Sequence, residues 1–298
     1  MCGIVGLYLK GDALVPDLGR LTALMLHEMA ARGPDSAGFA VYGAAEAGTK
    51  VSALSLTGET DWSHLAGELE HVLGTGVTVE VLADNALFRT RGDGQRARNW
   101  LIGNAPDVSV LAVGEAIELY KGIGDPDAVA ERLHLSQRSG THAIAHTRMA
   151  TESAVTTAGS HPFSTGADTC LVHNGSLSNH NRLRENLRKR GETFQTANDS
   201  EVAAGYLASR LRLGNDIDTA VSHALQDFDG FYTFAIGTRD GFAVVRDPIA
   251  CKPAVIAETD DWVAMSSEFR AIARLPGVEH AEIWEPDPAR IYSWSRAA

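Results

Sequence analysis

Short runs of alternating or continuously apolar residues recur along the chain, and longer segments carry apolar residues at helical spacing. Residues 17–31, for example, place Leu18, Leu21, Met25 and Met29 on one side of a helix. The apolar runs predict strands over residues 2–9, 39–42, 51–54, 77–82, 108–113, 117–120, 141–148, 170–173, 231–238, 242–246, 254–258 and 263–266. The helical spacing predicts helices over residues 17–31, 62–73, 126–134, 180–190, 199–213, 216–227 and 268–274. Blocks of strands and blocks of helices together predict an α+β fold, with helices packed on stacked sheets.

The positions of turn residues suggest which neighbouring strands pair. Asp240-Gly241 stands between two apolar runs and is typical of a tight hairpin turn. Residues 89–106 mix Arg, Gly and Asn, a composition that favours an exposed loop. We expect three hairpins, which join 39–42 with 51–54, 108–113 with 117–120, and 231–238 with 242–246.

The composition is that of a globular protein with a sizeable core, since 44% of the 298 residues are hydrophobic. The net charge of −12 argues against nucleic acid or an anionic membrane as the main partner. No apolar run approaches the ~20 residues of a membrane span, and the first residues do not resemble a signal peptide. Three cysteines are too few for a disulfide framework, so we expect a cytoplasmic protein.

Cys2 has the most informative position in the chain. A small residue after the initiator methionine normally permits its removal, which would make Cys2 the N-terminal residue. Cys2 would then carry both a thiol and a free α-amine, whose pKa of ~8 lies close to working pH. The amine could take the thiol's proton directly or through a water. Taken alone, the position also fits an early cysteine without a function.

Three further positions carry groups that a nucleophilic cysteine needs around its substrate. A predicted strand ends at Asn174-Gly175, where an amide side chain and a backbone N–H could face a developing oxyanion, although this dipeptide is also common in hairpin turns. Arg148 ends another strand and could grip a carboxylate in bidentate geometry, or form a surface ion pair. Asp199 could bind an ammonium group, or cap the helix that begins there.

Six short motifs occur in a fixed order that resembles class II glutamine amidotransferase domains of the N-terminal-nucleophile hydrolase superfamily. They are MCGIVG (1–6), RGPDSAG (32–38), HTRMAT (146–151), HPF (161–163), VHNGSLSN (172–179) and NDSE (198–201). Later stretches fit as well, at 229–231, 246–248, 252–253 and 266–268. The resemblance covers nearly the whole chain, residues 2–298, and implies a four-layer αββα sandwich.

The resemblance also implies a role for each candidate residue. Cys2 would attack the side-chain amide of glutamine and form a γ-glutamyl thioester, while its amine relays the proton. Asn174 and the Gly175 N–H would hold the oxyanion. The implied substrate-binding residues are Arg148 for the α-carboxylate, Asp199 for the α-ammonium, Thr151 and His161 as supports of the pocket, and Arg32 at the start of the loop that closes over glutamine.

The chain departs from the family pattern in two places. Met149 follows Arg148 where the family often has an aromatic residue, which could loosen the pocket wall and leave room for an N-methyl group. The interval between Arg32 and Arg148 is also longer than in the amidotransferases of aminosugar and purine synthesis. We therefore expect an insertion at about 60–135, which would serve either as a docking surface or gate, or as a surface subdomain without such a role.

Three stretches resemble most closely the separate amidotransferase subunits of glutamate-synthase-like complexes, including N-methylglutamate synthase: residues 110–121, 146–157 and 245–255. Because the amidotransferase domain takes up the chain, we expect the acceptor site on another polypeptide of a hetero-oligomer. The resemblance implies an FMN-binding partner subunit with an iron–sulfur cluster, and a β-helix subunit. We expect no cofactor and no metal in this chain, whose three cysteines are too few to hold such a cluster.

Three functions remain open from the sequence. The chain could release ammonia from glutamine, or methylamine from a γ-glutamyl methylamide, for an N-methylglutamate synthase. It could instead be a glutaminase subunit for another acceptor. It could also be a catalytically silent structural subunit, since Cys2 has no free amine if Met1 is retained.

Overall fold

The computed structural model describes residues 2–43, 48–149 and 156–296 of the chain. The strands in these ranges are β1 (Gly3–Leu9), β2 (Ser36–Tyr42), β3 (Thr49–Ser55), β4 (Val77–Leu82), β5 (Asn85–Thr90), β6 (Val108–Gly114), β7 (Ile117–Ile123), β8 (His142–Arg148), β9 (Phe163–Gly166), β10 (Thr169–Leu177), β11 (Gly230–Gly237), β12 (Gly241–Arg246), β13 (Val255–Glu258), β14 (Trp262–Ser266), β15 (Glu282–Trp284) and β16 (Ile291–Ser295). The helices are α1 (Leu18–Met29), α2 (Trp62–Leu73), α3 (Gly94–Asn104), α4 (Pro126–Arg132), α5 (His180–Arg188), α6 (Asp199–Arg212), α7 (Ile217–Asp227) and α8 (Phe269–Ile272). None of the helices in the described ranges is long and apolar enough to span a membrane.

Strand β1 lies in the middle of a seven-stranded sheet, whose strand order is β15-β13-β14-β1-β8-β2-β7. It pairs antiparallel on both sides, so that Val5 lies opposite Ala145 of β8 and Ser266 of β14. Every residue of β1 and β8 is buried, as expected for strands that are covered on both faces. The residue before β1, Cys2, therefore leads directly into the centre of this sheet.

A second sheet has five strands in the order β16-β12-β11-β10-β9. Strand β10 pairs with β11 without interruption from Cys170 to Leu177, so Asn174 and Gly175 lie inside the strand. The prediction that the strand ends in a tight turn at these two residues is therefore wrong. Gly175 has a φ of 147°, a conformation that glycine adopts without steric cost, and the pairing continues past it.

The two sheets bury a shared apolar cluster. It includes Ile4 and Ile144 from the seven-stranded sheet, and Val172 and Val244 from the five-stranded sheet. A second cluster joins α1 to the seven-stranded sheet, and a third joins α6 and α7 to the five-stranded sheet. The expected combination of helices with antiparallel sheets is confirmed.

A third sheet, with the strand order β4-β5-β3-β6, forms its own core with α2 and α3. Val51 and Phe88 of the sheet pack in this core with Leu69 and Leu101 of the two helices. The sheet overlaps the range 60–135 in which we expect an insertion, and that insertion stays a prediction. Strand β7, although it falls in this range, belongs to the seven-stranded sheet.

Two of the three expected hairpins are wrong. Strand β2 pairs with β7 and β8 in the seven-stranded sheet, whereas β3 pairs with β5 and β6 in the third sheet. Strands β6 and β7 likewise lie in different sheets. The hairpin of β11 with β12 is confirmed. Apolar alternation identifies a strand but leaves its partner open, and here the chain twice crosses between sheets where a hairpin turn was expected.

The expected exposed loop at 89–106 is also wrong, because its larger part is helix α3. The Asp93 carboxylate caps this helix by accepting hydrogen bonds from the backbone N–H groups of Gln95 (2.8 Å) and Arg96 (3.2 Å). Only Gly94, Ala97 and Leu101 of the helix are buried. This narrow apolar face explains why the polar composition suggested a loop.

Candidate active site

Cys2 is half-buried and lies where three distant parts of the chain meet. Its carbonyl oxygen accepts a hydrogen bond from Arg32 Nε at 3.1 Å and another from Asn174 Nδ2 at 3.4 Å. Strand β1 holds the following residues in place, since Ile4 N–H donates to Ser267 Oγ at 3.0 Å. The structure thus brings together three of the predicted site residues, Cys2, Arg32 and Asn174.

Arg32 follows α1, and its side chain is only 10% exposed. Its guanidinium forms an ion pair with the Glu268 carboxylate. Glu268 is a site residue that sequence reasoning missed, although the stretch 266–268 belongs to the motifs that resemble the family. The ion pair positions Arg32 against the Cys2 carbonyl.

Asn174 and Gly175 lie on β10, and the Asn174 amide contacts the Cys2 carbonyl. Asn174 is 5% exposed, and burial of this kind holds its amide in one place. A Cβ atom at Gly175 would overlap the backbone carbonyl oxygen of Phe231 on β11, so only glycine fits there. A fixed amide donor beside a cysteine can stabilise negative charge that develops on an attacked carbonyl oxygen.

Arg148 occupies the end of β8, opposite Ser36 of β2, and is 9% exposed. It lines a cavity of about 710 Å³ together with Gly159 and Asn198. A guanidinium at a cavity wall is suited to bind a carboxylate. Thr151, the other predicted support of the pocket on this side, lies outside the described residues.

Asp199 is the first residue of α6. The helix cap, the other role that the sequence left open for Asp199, is Asn198 instead. The Asn198 side chain accepts a hydrogen bond from Ser200 N–H at 2.8 Å. Asp199 Oδ2 accepts from Leu177 N–H at 2.9 Å, which ties its carboxylate to the strand that carries Asn174. About a fifth of the side chain remains exposed, so one carboxylate can face a ligand.

His161 belongs to a group of buried histidines that a serine joins to Asp199. His161 Nδ1 accepts a hydrogen bond from His173 N–H at 3.1 Å, so in the neutral ring Nε2 carries the proton and donates to Ser200 Oγ at 3.1 Å. Ser200 Oγ can then donate to His173 Nδ1 at 2.9 Å, and it lies 3.3 Å from Asp199 Oδ1. Ser200 and His173 are the residues here for which sequence reasoning assigned no role.

The histidine rings are held neutral by their surroundings. Ring stacking places the His146 and His161 centroids 4.1 Å apart. Burial is the main cause that lowers the pKa of His146 to about 3, and it lowers the pKa of His161 well below its usual range. A neutral imidazole can orient a neighbour through hydrogen bonds without adding charge to the site. Within the described ranges no three His, Cys, Asp or Glu side chains could together hold a metal ion.

Comparison with known proteins identifies the family. A profile of the glutamine amidotransferase domain matches residues 146–274. The chain is 51% identical over 296 residues to the glutamine amidotransferase-like protein GlxB of Rhizobium meliloti, covering 99% of this chain and 98% of that protein. It is 31% identical over 310 residues to an inferred glutamine amidotransferase of Methanothermobacter thermautotrophicus, covering 98% and 99% of the two chains.

The fold is similar to that of a solved relative. The glutamine phosphoribosylpyrophosphate amidotransferase of B. subtilis superposes with a TM-score of 0.62 at 21% sequence identity. The alignment covers 99% of this chain and 47% of that one, so this chain spans about half of the solved protein. Similarity to GlxB along nearly the full length of both proteins decides the assignment. The chain therefore belongs to the glutamine amidotransferase family.

Proposed function

We propose that this chain is the glutaminase subunit of a glutamate-synthase-like enzyme, and specifically of an N-methylglutamate synthase. It hydrolyses the side-chain amide of glutamine, or of a γ-glutamyl methylamide, and passes ammonia or methylamine to a partner subunit. The observation that carries this proposal is the pair of hydrogen bonds from Arg32 and Asn174 to the Cys2 carbonyl. They support it because they bring the Asn174 amide, the oxyanion donor in this proposal, close to a cysteine that can become N-terminal.

The chemistry proceeds in two steps through a thioester. The Cys2 α-amine, free once Met1 is removed, takes the thiol proton, and the thiolate attacks the amide carbon. The Asn174 amide and the Gly175 N–H stabilise the oxyanion, and the amine then protonates the leaving ammonia or methylamine. Water attacks the γ-glutamyl thioester in the second step and releases glutamate with the free thiol.

The remaining predicted residues hold the substrate. Arg148 binds the α-carboxylate and Asp199 the α-ammonium group, while Thr151 and His161 support this end of the pocket. Arg32 stands at the start of the loop that closes over glutamine. Met149 stands where the family often has an aromatic residue, and in this proposal the smaller side chain gives room for an N-methyl group.

The domain in this proposal is a four-layer αββα sandwich over residues 2–298. The helices on the far side of each sheet, and the apolar cluster between the two sheets, support this layering. The insertion at about 60–135, which overlaps the third sheet, serves as a docking surface or gate for the partner.

The partners in this proposal are an FMN-binding subunit with an iron–sulfur cluster and a β-helix subunit, assembled as a cytoplasmic hetero-oligomer. The three cysteines of this chain differ in burial: Cys2 is half-buried, Cys170 is buried and Cys251 is exposed. Three cysteines are fewer than the four that such a cluster needs, which supports placing it in another subunit. The resemblance of residues 110–121, 146–157 and 245–255 to such subunits supports the choice of complex.

The test measures glutamate release from glutamine and from γ-glutamyl methylamide by the natively purified complex. Cys2→Ala should abolish release from both substrates, whereas Cys251→Ala, at an exposed cysteine, should leave it unchanged. A preference for γ-glutamyl methylamide supports the N-methylglutamate branch. A preference for glutamine supports a glutaminase for another acceptor. No release by a complex whose synthase half is active would support a structural subunit and contradict the proposal.

A further inference from the structure

A second cavity, of about 520 Å³, lies at one end of the third sheet. Its walls come from the start of β3, the start of β4 and the end of β5, and include Lys50, Thr78, Arg89 and Arg91. None of the residues assigned to the Cys2 site lines it. A volume of this size is within the range of small-molecule sites.

Three of these side chains form a row across adjacent strands. Arg89 of β5 lies directly opposite Thr78 of β4 on one side and Lys50 of β3 on the other. Residues opposite each other in an antiparallel sheet project from the same face, with Cβ atoms about 5 Å apart. The row therefore places two cations side by side, an arrangement that is unfavourable unless negative charge compensates it.

The protein's own carboxylates compensate this charge only in part. Glu118 Oε1 lies 3.1 Å from Lys50 Nζ and 3.2 Å from Arg89 Nη2. A second carboxylate, Glu80, pairs with Arg89 at 3.1 Å. Arg138 pairs with both acids, at 3.3 Å from Glu118 and 2.9 Å from Glu80. Three cations thus share two carboxylates.

The rim adds further positive charge. Arg91 is exposed, and it forms no ion pair with any residue that the structure describes. The described residues that line the cavity include neither Asp nor Glu. Lys50 is only 3% exposed, so part of this surplus charge is withdrawn from water. A local surplus of positive charge stands out in a chain whose net charge is −12.

We propose that this cavity binds a small anionic metabolite through a phosphate or carboxylate group. Lys50, Arg89 and Arg91 supply the positive charge, and the Thr78 hydroxyl supplies a hydrogen-bond donor. Gly76 in the wall has no described atom within 4 Å of the place a Cβ atom would take, which leaves room for the ligand to approach the backbone. The site does not depend on the function proposed for Cys2, so either can fail without the other.

Isothermal titration calorimetry of the full chain with two probes, inorganic pyrophosphate and citrate, tests the proposal. We expect saturable binding of at least one probe at one site per chain. Arg91→Glu should weaken it by about tenfold or more, which corresponds to about 1.4 kcal/mol. Thr78→Glu, which adds a carboxylate at an exposed position in the same wall, should do the same. Pyrophosphate as the tighter ligand would identify a phosphoryl group, and citrate a carboxylate group.

Arg96→Glu is the matched control, because Arg96 is exposed on α3 and does not line the cavity. It makes the same change in net charge as Arg91→Glu and should leave the affinity within about twofold. Thermal unfolding verifies that each variant is folded. Absence of saturable binding by both probes would overturn the proposal. So would an equal loss of affinity in Arg96→Glu and Arg91→Glu, because binding would then follow net charge rather than this cavity.

Discussion

At Gly175 the backbone conformation, rather than a side chain, determines which residue the site tolerates. Its φ of 147° is strained for any residue with a Cβ atom, and the Phe231 carbonyl occupies the space that this atom would need. The neighbouring Asn174 can hold its amide beside Cys2 only while β10 and β11 keep this close approach. One glycine thus couples the pairing of two strands to the geometry of the proposed oxyanion donors.

Gly175→Ala should therefore lower both stability and glutamate release. We expect a loss of about 1–3 kcal/mol in the free energy of unfolding, measured by urea denaturation. The matched control is Gly67→Ala in the exposed part of α2, where the described part of the structure places no atom within 4 Å of the added Cβ. This control should gain about 0.5–1 kcal/mol. Equal effects of the two substitutions would contradict the argument.

The buried histidines predict a dependence of stability on pH. His146 faces His161, His173 and Arg148, and burial lowers its pKa from about 6.5 to about 3. Between these values the unfolded chain binds a proton that the folded chain does not, so stability falls as the pH falls below about 6.5. When the pH falls from about 7 to about 5.5, His146 alone should lower the free energy of unfolding by about 1 kcal/mol.

Urea denaturation of His146→Gln at the two pH values measures this contribution. The variant should lose about 1 kcal/mol less than the wild type on acidification. His280→Gln is the control, because the His280 side chain is 83% exposed and should contribute nothing to the difference. If His146→Gln lost as much stability on acidification as the wild type, His146 would not be the group that titrates.

At the scale of elements, a buried ion network joins the third sheet to the seven-stranded sheet. Glu118 of β7 is 8% exposed and contacts Lys50 of β3 and Arg89 of β5. Arg138, before β8, adds a third cation and stacks on the Tyr120 ring, 4.8 Å from its centroid. Removal of the shared carboxylate would leave the buried Lys50 without an acid partner among the described residues, and would leave Glu80 as the remaining acid for Arg89 and Arg138, which is costly.

Glu118→Gln should accordingly destabilise the protein by about 3–5 kcal/mol, measured by urea denaturation. Glu185→Gln removes a carboxylate from the pair with Lys189, in which both side chains are about two-thirds exposed. This control should change stability by less than about 0.5 kcal/mol. A similarly small effect of Glu118→Gln would show that the network contributes little to holding the sheets together.

Elements were easier to predict than their pairing. The strands around 39–42 and 51–54 were identified because their residues are apolar, yet nothing in that pattern distinguishes a hairpin from a crossing between sheets. Helix α3 was missed because its buried face is narrow. Asn174-Gly175 was expected in a turn because this dipeptide favours turns, whereas β11 accommodates the glycine inside a strand.

In the candidate site, too, individual residues were easier to predict than the contacts between them. Cys2, Arg32 and Asn174 were identified from motifs, and the structure brings them together. The motifs did not assign a role to Glu268 or Ser200, because the role of each lies in a contact that folding creates. Glu268 meets Arg32 across 236 positions of the chain, a separation that no local pattern can reveal.

At the scale of the whole molecule, the site depends on segments from both ends of the chain. Cys2 precedes the first strand, Arg32 follows α1, Asn174 lies on β10 and Glu268 follows β14. Glu268 is the part of this assembly that touches no substrate in the proposed chemistry. It therefore offers a way to disturb the position of Arg32 without removing a reacting group.

Glu268→Gln should lower kcat/KM for glutamate release by about tenfold, mainly through a higher KM, because Arg32 loses the carboxylate that holds it against Cys2. Stability should fall by less than in Glu118→Gln, since the Glu268 side chain is one-third exposed and Arg32 keeps its hydrogen bond to the Cys2 carbonyl. Glu279→Gln is the control, because that side chain is 68% exposed and 3.8 Å from His280. An unchanged KM in Glu268→Gln would mean that the Cys2 carbonyl holds Arg32 well enough alone, and that the ion pair belongs to the fold rather than to substrate binding.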